Sequence, residues 1–107
     1  MARPAIAADV FRAVADETRR ALLDRLRENE EPVLSLAADF DLSLPAISQH
    51  LRVLKEAGLV ADRQEGRQRL YRLTPAPLTE IFDWLSHYEV FWRKRLSALR
   101  RHLKEKP

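Results

Sequence analysis

The sequence predicts a mainly α-helical fold with one small β-hairpin, and three observations support this prediction. A capped amphipathic segment runs from Leu42 to Gly58, two strand-like runs flank Gly66, and an apolar heptad pattern fills the C-terminal quarter. The chain has 107 residues and no cysteine, which suits one small domain and excludes disulfides and thiolate metal sites. We therefore expect residues 1–107 to form a single domain of about five helices.

The first third of the chain predicts two short helices and a connection. Residues 5–15 have helical apolar periodicity, and Asp16 is a candidate N-cap for a second helix. An acidic run that ends at Pro32 would stop this second helix. Val33 and Leu34 could then form a very short edge strand.

The segment from Leu42 to Gly58 predicts a helix with two faces of opposite character. Ser43 is a candidate N-cap, Pro45 loses no hydrogen bond in the first turn, and Gly58 adopts the left-handed C-cap conformation at low cost. Apolar side chains fall on one narrow stripe, and polar and basic side chains fall opposite. Residues 35–40 predict a short helix before it, which gives a helix-turn-helix arrangement.

A basic hairpin is predicted after the helix-turn-helix. The strand-like runs cover residues 59–64 and 68–73, and the segment between them contains Gly66. Residues 59–73 carry four arginines against two acidic side chains. A helix-turn-helix over residues 35–57 followed by such a hairpin is a winged helix.

The C-terminal quarter predicts one long helix from about residue 78 to 104. Pro75 and Pro77 end the hairpin and permit this helix to begin. Its apolar face is too broad to be buried within one small domain, so we expect a homodimer that forms through the first and last helices. The predicted interface residues are Val10, Phe11, Ile81, Leu85, Tyr88, Trp92, Leu96 and Leu99.

Nucleic-acid binding fits the charge distribution and the polar side chains. Residues 43–107 carry 13 basic and 7 acidic side chains, whereas residues 1–42 carry 6 and 9. Glutamine can bond adenine bidentately, and arginine can bond guanine or phosphate. His50 lies at the edge of the apolar stripe. For this residue, a partly buried structural role is at least as favoured as a contact with DNA. The candidate DNA-binding residues are Ser43, Pro45, Ala46, Ser48, Gln49, His50, Arg52, Lys55, Arg63, Arg67 and Arg69.

Metal binding and catalysis have little support in the residue pattern. His87 lies one turn after Asp83, and His102 lies three residues before Glu105, but the two pairs fall on unrelated sides of the predicted helix. The sequence has no glycine-rich phosphate loop and no nucleophile elbow. We therefore predict no metal site, no cofactor and no enzymatic activity.

Three segments together resemble the ArsR/SmtB family of small dimeric winged-helix repressors. Residues 11–20 resemble the family's Ala-Asp-Pro-Thr-Arg signature, residues 43–51 and 54–60 resemble its next conserved segment, and residues 63–73 resemble its wing. The likeness extends over roughly residues 9–103. It implies a bacterial or archaeal DNA-binding homodimer with the first and last helices at the interface.

The metal-sensing motifs of that family are incomplete in this chain. The family's thiolate pair would fall at Pro32 and Leu34, and the last-helix motif lacks its first histidine at Leu85. Glu17 replaces the usual proline of the first signature, at a helix N-terminus where an acidic side chain is favourable. The resemblance thus implies a member without the cysteine metal-sensing motif, and its effector is unknown.

We expect a sequence-specific transcriptional repressor that binds double-stranded DNA as a homodimer on an inverted-repeat operator. Two alternatives stay open: a winged-helix module that binds protein instead of DNA, and a repressor switched by a metal or ligand through its last helix. The sequence has no signal-peptide core and no membrane-spanning segment. We therefore expect a cytoplasmic protein without a membrane partner.

Overall fold

A mainly helical fold with a small antiparallel sheet is confirmed in the computed structural model, which describes the backbone of residues 4–105 and the side chains of residues 9–104. Over this range the chain forms six α-helices, one short 3-10 helix and three strands. In chain order they are α1 (Pro4–Ala15), α2 (Glu17–Leu26), β1 (Glu31–Pro32), α3 (Val33–Asp39), α4 (Leu44–Glu56), β2 (Val60–Glu65), β3 (Gln68–Leu73), the 3-10 helix (Ala76–Leu78), α5 (Thr79–Ser86) and α6 (Glu89–Glu105).

The core lies between the first four helices and the start of the hairpin. Helix α4 contributes the apolar stripe that its sequence predicts, and each fully buried apolar side chain contributes roughly 1.5–3 kcal/mol to folding. This packing leaves the opposite face of α4 exposed. The largest fully buried side chains are Val10, Leu22, Leu36, Ile47, Leu51, Leu54 and Leu59.

Both predicted helix caps are confirmed. The Asp16 carboxylate accepts a hydrogen bond from the Arg19 amide at 3.0 Å, and the Ser43 hydroxyl accepts one from the Ala46 amide at 3.2 Å. Gly58 follows α4 with φ +81°, a conformation that favours glycine. The sequence therefore sets both ends of α4.

The sheet has the strand order β1-β3-β2, with both pairs antiparallel. Strands β2 and β3 form the predicted hairpin, closed by a two-residue turn in which Gly66 has φ +62°. The predicted edge strand at Val33 and Leu34 is wrong, because the strand is Glu31–Pro32 and helix α3 begins at Val33. Pro32 has extended backbone at the sheet edge, where the absence of its N–H is tolerated.

The prediction of one continuous last helix is also wrong. Helices α5 and α6 are separate because the His87 and Tyr88 amides bond to carbonyls three residues back, those of Trp84 at 3.2 Å and Leu85 at 2.9 Å. The Ser86 hydroxyl also donates to the Asp83 carbonyl at 2.6 Å. This interruption raises the number of α-helices from the predicted five to six.

Candidate nucleic-acid interface

The exposed face of α4 lines a shallow depression of about 460 Å³. Among the predicted DNA-binding residues, this depression brings together Pro45, Ser48, Gln49, Arg52 and Lys55. Tyr71 of β3 forms part of its wall, so the depression spans α4 and the sheet. The arrangement offers amide, hydroxyl and cationic groups on one concave surface.

Tyr71 is a lining residue that the sequence prediction missed. Its half-buried ring sits beside Asp62 in the paired strand, and burial raises the pKa of its phenol. The phenol therefore stays protonated at neutral pH and keeps an O–H donor. The alternation of Leu70 inward and Tyr71 outward along β3 was the only sequence signal for this position.

Two predicted residues of the α4 N-terminus have other surroundings. Ser43 is exposed, but its hydroxyl oxygen is occupied as the N-cap acceptor. Ala46 is half-buried beside the apolar stripe. Neither residue lines the depression.

Asp62 of β2 holds two cations, Lys55 of α4 and Arg69 of β3. Its side chain is only 10% exposed, and its carboxylate oxygens lie 2.9 Å from Lys55 Nζ and 3.2 Å from Arg69 Nη1. The Lys55 ammonium is the largest cause of the lowered pKa of Asp62. Two of the predicted DNA-binding cations are therefore held by an acidic side chain of the protein itself.

Arg63 is held in a similar way. Its guanidinium donates two hydrogen bonds to the Glu30 carboxylate, at 2.9 and 2.8 Å, and it lies 3.6 Å from Glu65. The hydrogen bond from Arg63 lowers the pKa of Glu30. Arg63 thus ties β2 to the loop before β1.

Arg52 and Arg67 are the predicted arginines without an acidic partner within 4.0 Å in the described part of the chain. Both side chains are exposed. Arg67 and Arg69 line a second depression of about 230 Å³, between the hairpin and the start of α3. Neither arginine lines the α4 depression, although Arg69 shares Asp62 with Lys55 of that depression.

His50 is half-buried at the flank of α4. Its Nδ1 lies 3.3 Å from Arg19 Nη1 and 3.9 Å from an Asp16 carboxylate oxygen. Arg19 also donates to the carbonyls of Ala13 and Arg12 at the end of α1. The surroundings of His50 are thus polar, and they connect α4 to the corner between α1 and α2.

Comparison with known proteins finds that the profile of the bacterial regulatory proteins of the arsR family matches residues 16–62, from the N-cap of α2 into β2. The HTH-type transcriptional regulator Rv2034 of Mycobacterium tuberculosis is 44% identical over 88 residues, which cover 82% of this chain and 79% of that protein. The chain belongs to the arsR family of bacterial regulatory proteins. Its family consists of transcriptional regulators, not enzymes.

Further relatives of this ArsR-family chain support the same assignment. The transcriptional repressor SdpR of Bacillus subtilis is 34% identical over 80 residues, which cover 75% of this chain and 89% of that protein. An ArsR-like transcriptional regulator from Rhodococcus sp. RHA1 superposes with a TM-score of 0.73 at 33% identity, covering 96% of this chain and 94% of that chain. The homodimeric winged helix-turn-helix DNA-binding domain of Mb0332 from Mycobacterium bovis, a possible ArsR-family regulator, gives 0.64 at 28% identity, covering 82% and 83%. The winged helix-turn-helix fold predicted from the sequence is thus confirmed.

Helices α5 and α6 of this ArsR-family chain carry most of the predicted interface residues. Leu85, Tyr88, Trp92, Leu96 and Leu99 are all exposed. The remaining three differ, because Val10 is fully buried in the protomer's own core, Ile81 packs partly against that core, and Phe11 is half-buried against the Trp84 ring at 5.7 Å. Val10 therefore cannot contact a second copy of the chain. The prediction that Val10 lies in the dimer interface is wrong.

The candidate metal ligands do not converge in the described part of this ArsR-family chain. No group of three or more histidine or acidic side chains there could hold a metal ion. The side chain of Glu105, which the sequence paired with His102, lies outside the described residues. Within residues 4–105, no helix is long and apolar enough to cross a membrane.

Proposed function

We propose that this ArsR-family protein is a sequence-specific transcriptional repressor that binds an inverted-repeat DNA operator as a homodimer. The observation that carries the proposal is the exposed face of α4, where Gln49 and Arg52 line one depression with Ser48, Lys55 and Tyr71. A buried stripe on the other side fixes α4 to the core. Such a rigid helix can hold its side chains in register with base edges.

The dimensions of α4 suit the major groove. Its 13 residues give a helix about 20 Å long. The major groove of B-DNA is about 12 Å wide and admits one α-helix. Gln49 is the side chain that can bond adenine through two hydrogen bonds, and Arg52 can bond guanine or phosphate. Base preference would therefore come mainly from Gln49 and Arg52.

The wing supplies cations for the DNA backbone. Arg67 occupies the turn at the tip of the hairpin, is exposed and has no acidic partner within 4.0 Å among the described residues. Phosphate contacts of this kind give affinity for all sequences and make it dependent on salt. Arg67 is thus the strongest candidate for a phosphate contact from the wing.

A homodimer is supported by the apolar surface of α5 and α6. Phe82, Val90, Phe91 and Leu103 are each more than 60% exposed, and monomeric proteins rarely expose a large contiguous apolar patch. The similar domain of Mb0332 is homodimeric. Two copies would present two α4 helices to successive major grooves, roughly 34 Å apart, which matches an inverted repeat.

The proposal is tested by selecting bound DNA from a random pool and measuring the affinity of variants for the selected sequence. Gln49→Ala should relax base preference at one position of each half-site and cost about 1–3 kcal/mol. Arg67→Ala should weaken binding to all sequences similarly. The slope of log K against log salt should become shallower by the equivalent of about one phosphate contact per protomer. If no DNA is enriched at low salt, and a protein partner binds independently of salt, the chain is a protein-binding module instead.

A further inference from the structure

Arg19 uses its guanidinium to join two separate elements. Its Nε donates to the Ala13 carbonyl at 2.8 Å and its Nη2 donates to the Arg12 carbonyl at 3.1 Å, both at the end of α1. Its Nη1 lies 3.3 Å from Nδ1 of His50 on α4. Arg19 is half-buried. The two hydrogen bonds to α1 hold its guanidinium at the corner between α1 and α2.

The 3.3 Å contact with Arg19 favours one tautomer of neutral His50, since the Asp16 carboxylate oxygen, 3.9 Å from Nδ1, is too distant to accept a hydrogen bond from it. An arginine side chain has only donors, so Nδ1 must supply a lone pair to accept from Nη1. A neutral imidazole has one donor and one acceptor nitrogen. In the neutral ring, this contact therefore favours hydrogen on Nε2, at the other edge of the ring, where it would act as a hydrogen-bond donor.

The position of His50 on α4 makes this donor relevant to DNA. His50 lies one turn after Ala46 and one residue after Gln49, between the exposed face and the α1–α2 corner. Its side chain is 24% exposed. When the exposed face of a helix points to the groove floor, the helix flanks lie next to the phosphates of the groove walls.

We propose that Arg19 is a positioning residue for DNA binding, which holds His50 so that its Nε2–H donates to a DNA phosphate. This inference rests on the proposed function. It assigns His50 to the backbone rather than to a base edge, and it gives Arg19 a role in binding without direct contact to DNA. The bond to a phosphate should be charge-assisted, and its loss should weaken binding at least about tenfold.

Two substitutions of His50 separate its two nitrogens. The amide nitrogen of glutamine can take the place of Nε2, whereas the amide oxygen of asparagine can take the place of Nδ1. We expect His50→Gln to retain most of the affinity for selected DNA and for unrelated DNA, and His50→Asn to lose at least about tenfold for both. Equal losses in the two variants, or a loss confined to His50→Gln, would overturn the proposal.

The role of Arg19 has a matched control in Arg20. Arg20 also donates to carbonyls at the end of α1, those of Val14 and Ala15, and makes no contact with His50. Arg19→Lys should lower DNA affinity at least about fivefold, and Arg20→Lys should leave it nearly unchanged. In the His50→Asn background, Arg19→Lys should have no further effect, because its action passes through His50. An additive loss would mean that Arg19 acts independently of His50, and it would overturn the proposal.

The tautomer is observed directly by ¹⁵N NMR of the histidine side chains in the full chain at pH 8, where an ordinary histidine is neutral. We expect His50 to show an unprotonated Nδ1 and a protonated Nε2, and a protonated Nδ1 would overturn the proposal. The NMR result does not depend on DNA. If the wild-type chain binds no DNA, the proposed function fails together with this inference, whereas normal wild-type binding with unaffected His50 variants overturns the inference alone.

Discussion

At the scale of single residues, the predicted DNA-binding cations fall into two groups. Within the described part of the chain, some are paired with acidic side chains of the protein, and others are free to contact DNA. Arg63 is bound by Glu30, and Lys55 and Arg69 are bound by Asp62. The sequence predicted these cations as DNA-binding residues, but it could not predict their acidic partners. Glu30 and Arg63, for example, are 33 residues apart and meet only in the folded chain. Pairs of this kind depend on tertiary structure.

Releasing Arg63 should strengthen DNA binding. In the Glu30→Gln variant the guanidinium loses its strongest acceptor and becomes available to a phosphate. The affinity should rise severalfold at low salt, and the slope of log K against log salt should steepen by about 0.9 per protomer, as measured by fluorescence anisotropy. Glu28→Gln, an exposed neighbour with the same change in charge, should have a smaller effect and an unchanged slope. Equal effects of the two variants would contradict a specific role of the Glu30–Arg63 pair.

Asp62 should make folding stability sensitive to acid. Because the pKa of Asp62 is lowered from its ordinary value of 3.8, chiefly by Lys55, the stabilisation is complete above that value and is lost as pH falls through the folded-state pKa. The free energy of unfolding in urea should therefore decline below about pH 4. Asp62→Asn should be less stable than the wild type at pH 7 and should show a shallower decline. Parallel curves for the two proteins would exclude this role.

At the scale of elements, local sequence signals predicted α4 and the hairpin accurately. Ser43, Gly58 and Gly66 act through their own backbone and nearest neighbours, so their signals are visible in the sequence. The break between α5 and α6 has no glycine or proline to mark it, and it arises from hydrogen bonds shifted to three residues back. The pairing of Glu31 with Tyr71 across the sheet was equally hidden, because it depends on distant chain segments.

The two glycines should differ in their tolerance of a methyl group. Both have positive φ, so alanine at either should cost about 1 kcal/mol of stability. At Gly58 a Cβ would also lie 3.2 Å from Cγ of Pro77, whereas at Gly66 nothing lies within 4 Å. Urea unfolding should therefore show a larger loss for Gly58→Ala than for Gly66→Ala. Equal losses would show that Pro77 yields without cost, and the reverse order would contradict this account.

At the scale of the whole molecule, the protomer leaves an extended apolar surface uncovered. A groove of about 300 Å³ runs along α5 and α6 between Phe82, Trp92 and Leu96. The heptad spacing predicted this surface from the sequence, since a repeated pattern needs no tertiary information. The burial of Val10 could not be predicted in this way, because α1 has apolar residues on two sides and only the fold decides which side faces inward.

A charge in this groove should disrupt the proposed homodimer. We expect Leu96→Asp to be monomeric by sedimentation at micromolar concentration and to bind the selected DNA at least about tenfold more weakly, because one protomer reads only half of an operator. Ser97→Asp places the same charge beside the basic side chains of Arg100 and Arg101 and should stay dimeric. A dimeric Leu96→Asp variant would place the interface elsewhere.

The central claim is that two copies of α4 bind two half-sites of one DNA duplex. The most direct measurement combines footprinting of the selected DNA with the mass of the complex by light scattering. We predict two chains per duplex and two protected half-sites in inverted orientation, with centres about 10 base pairs apart or a multiple of that spacing. A single chain on a single half-site, or no protected DNA at low salt, would contradict the account.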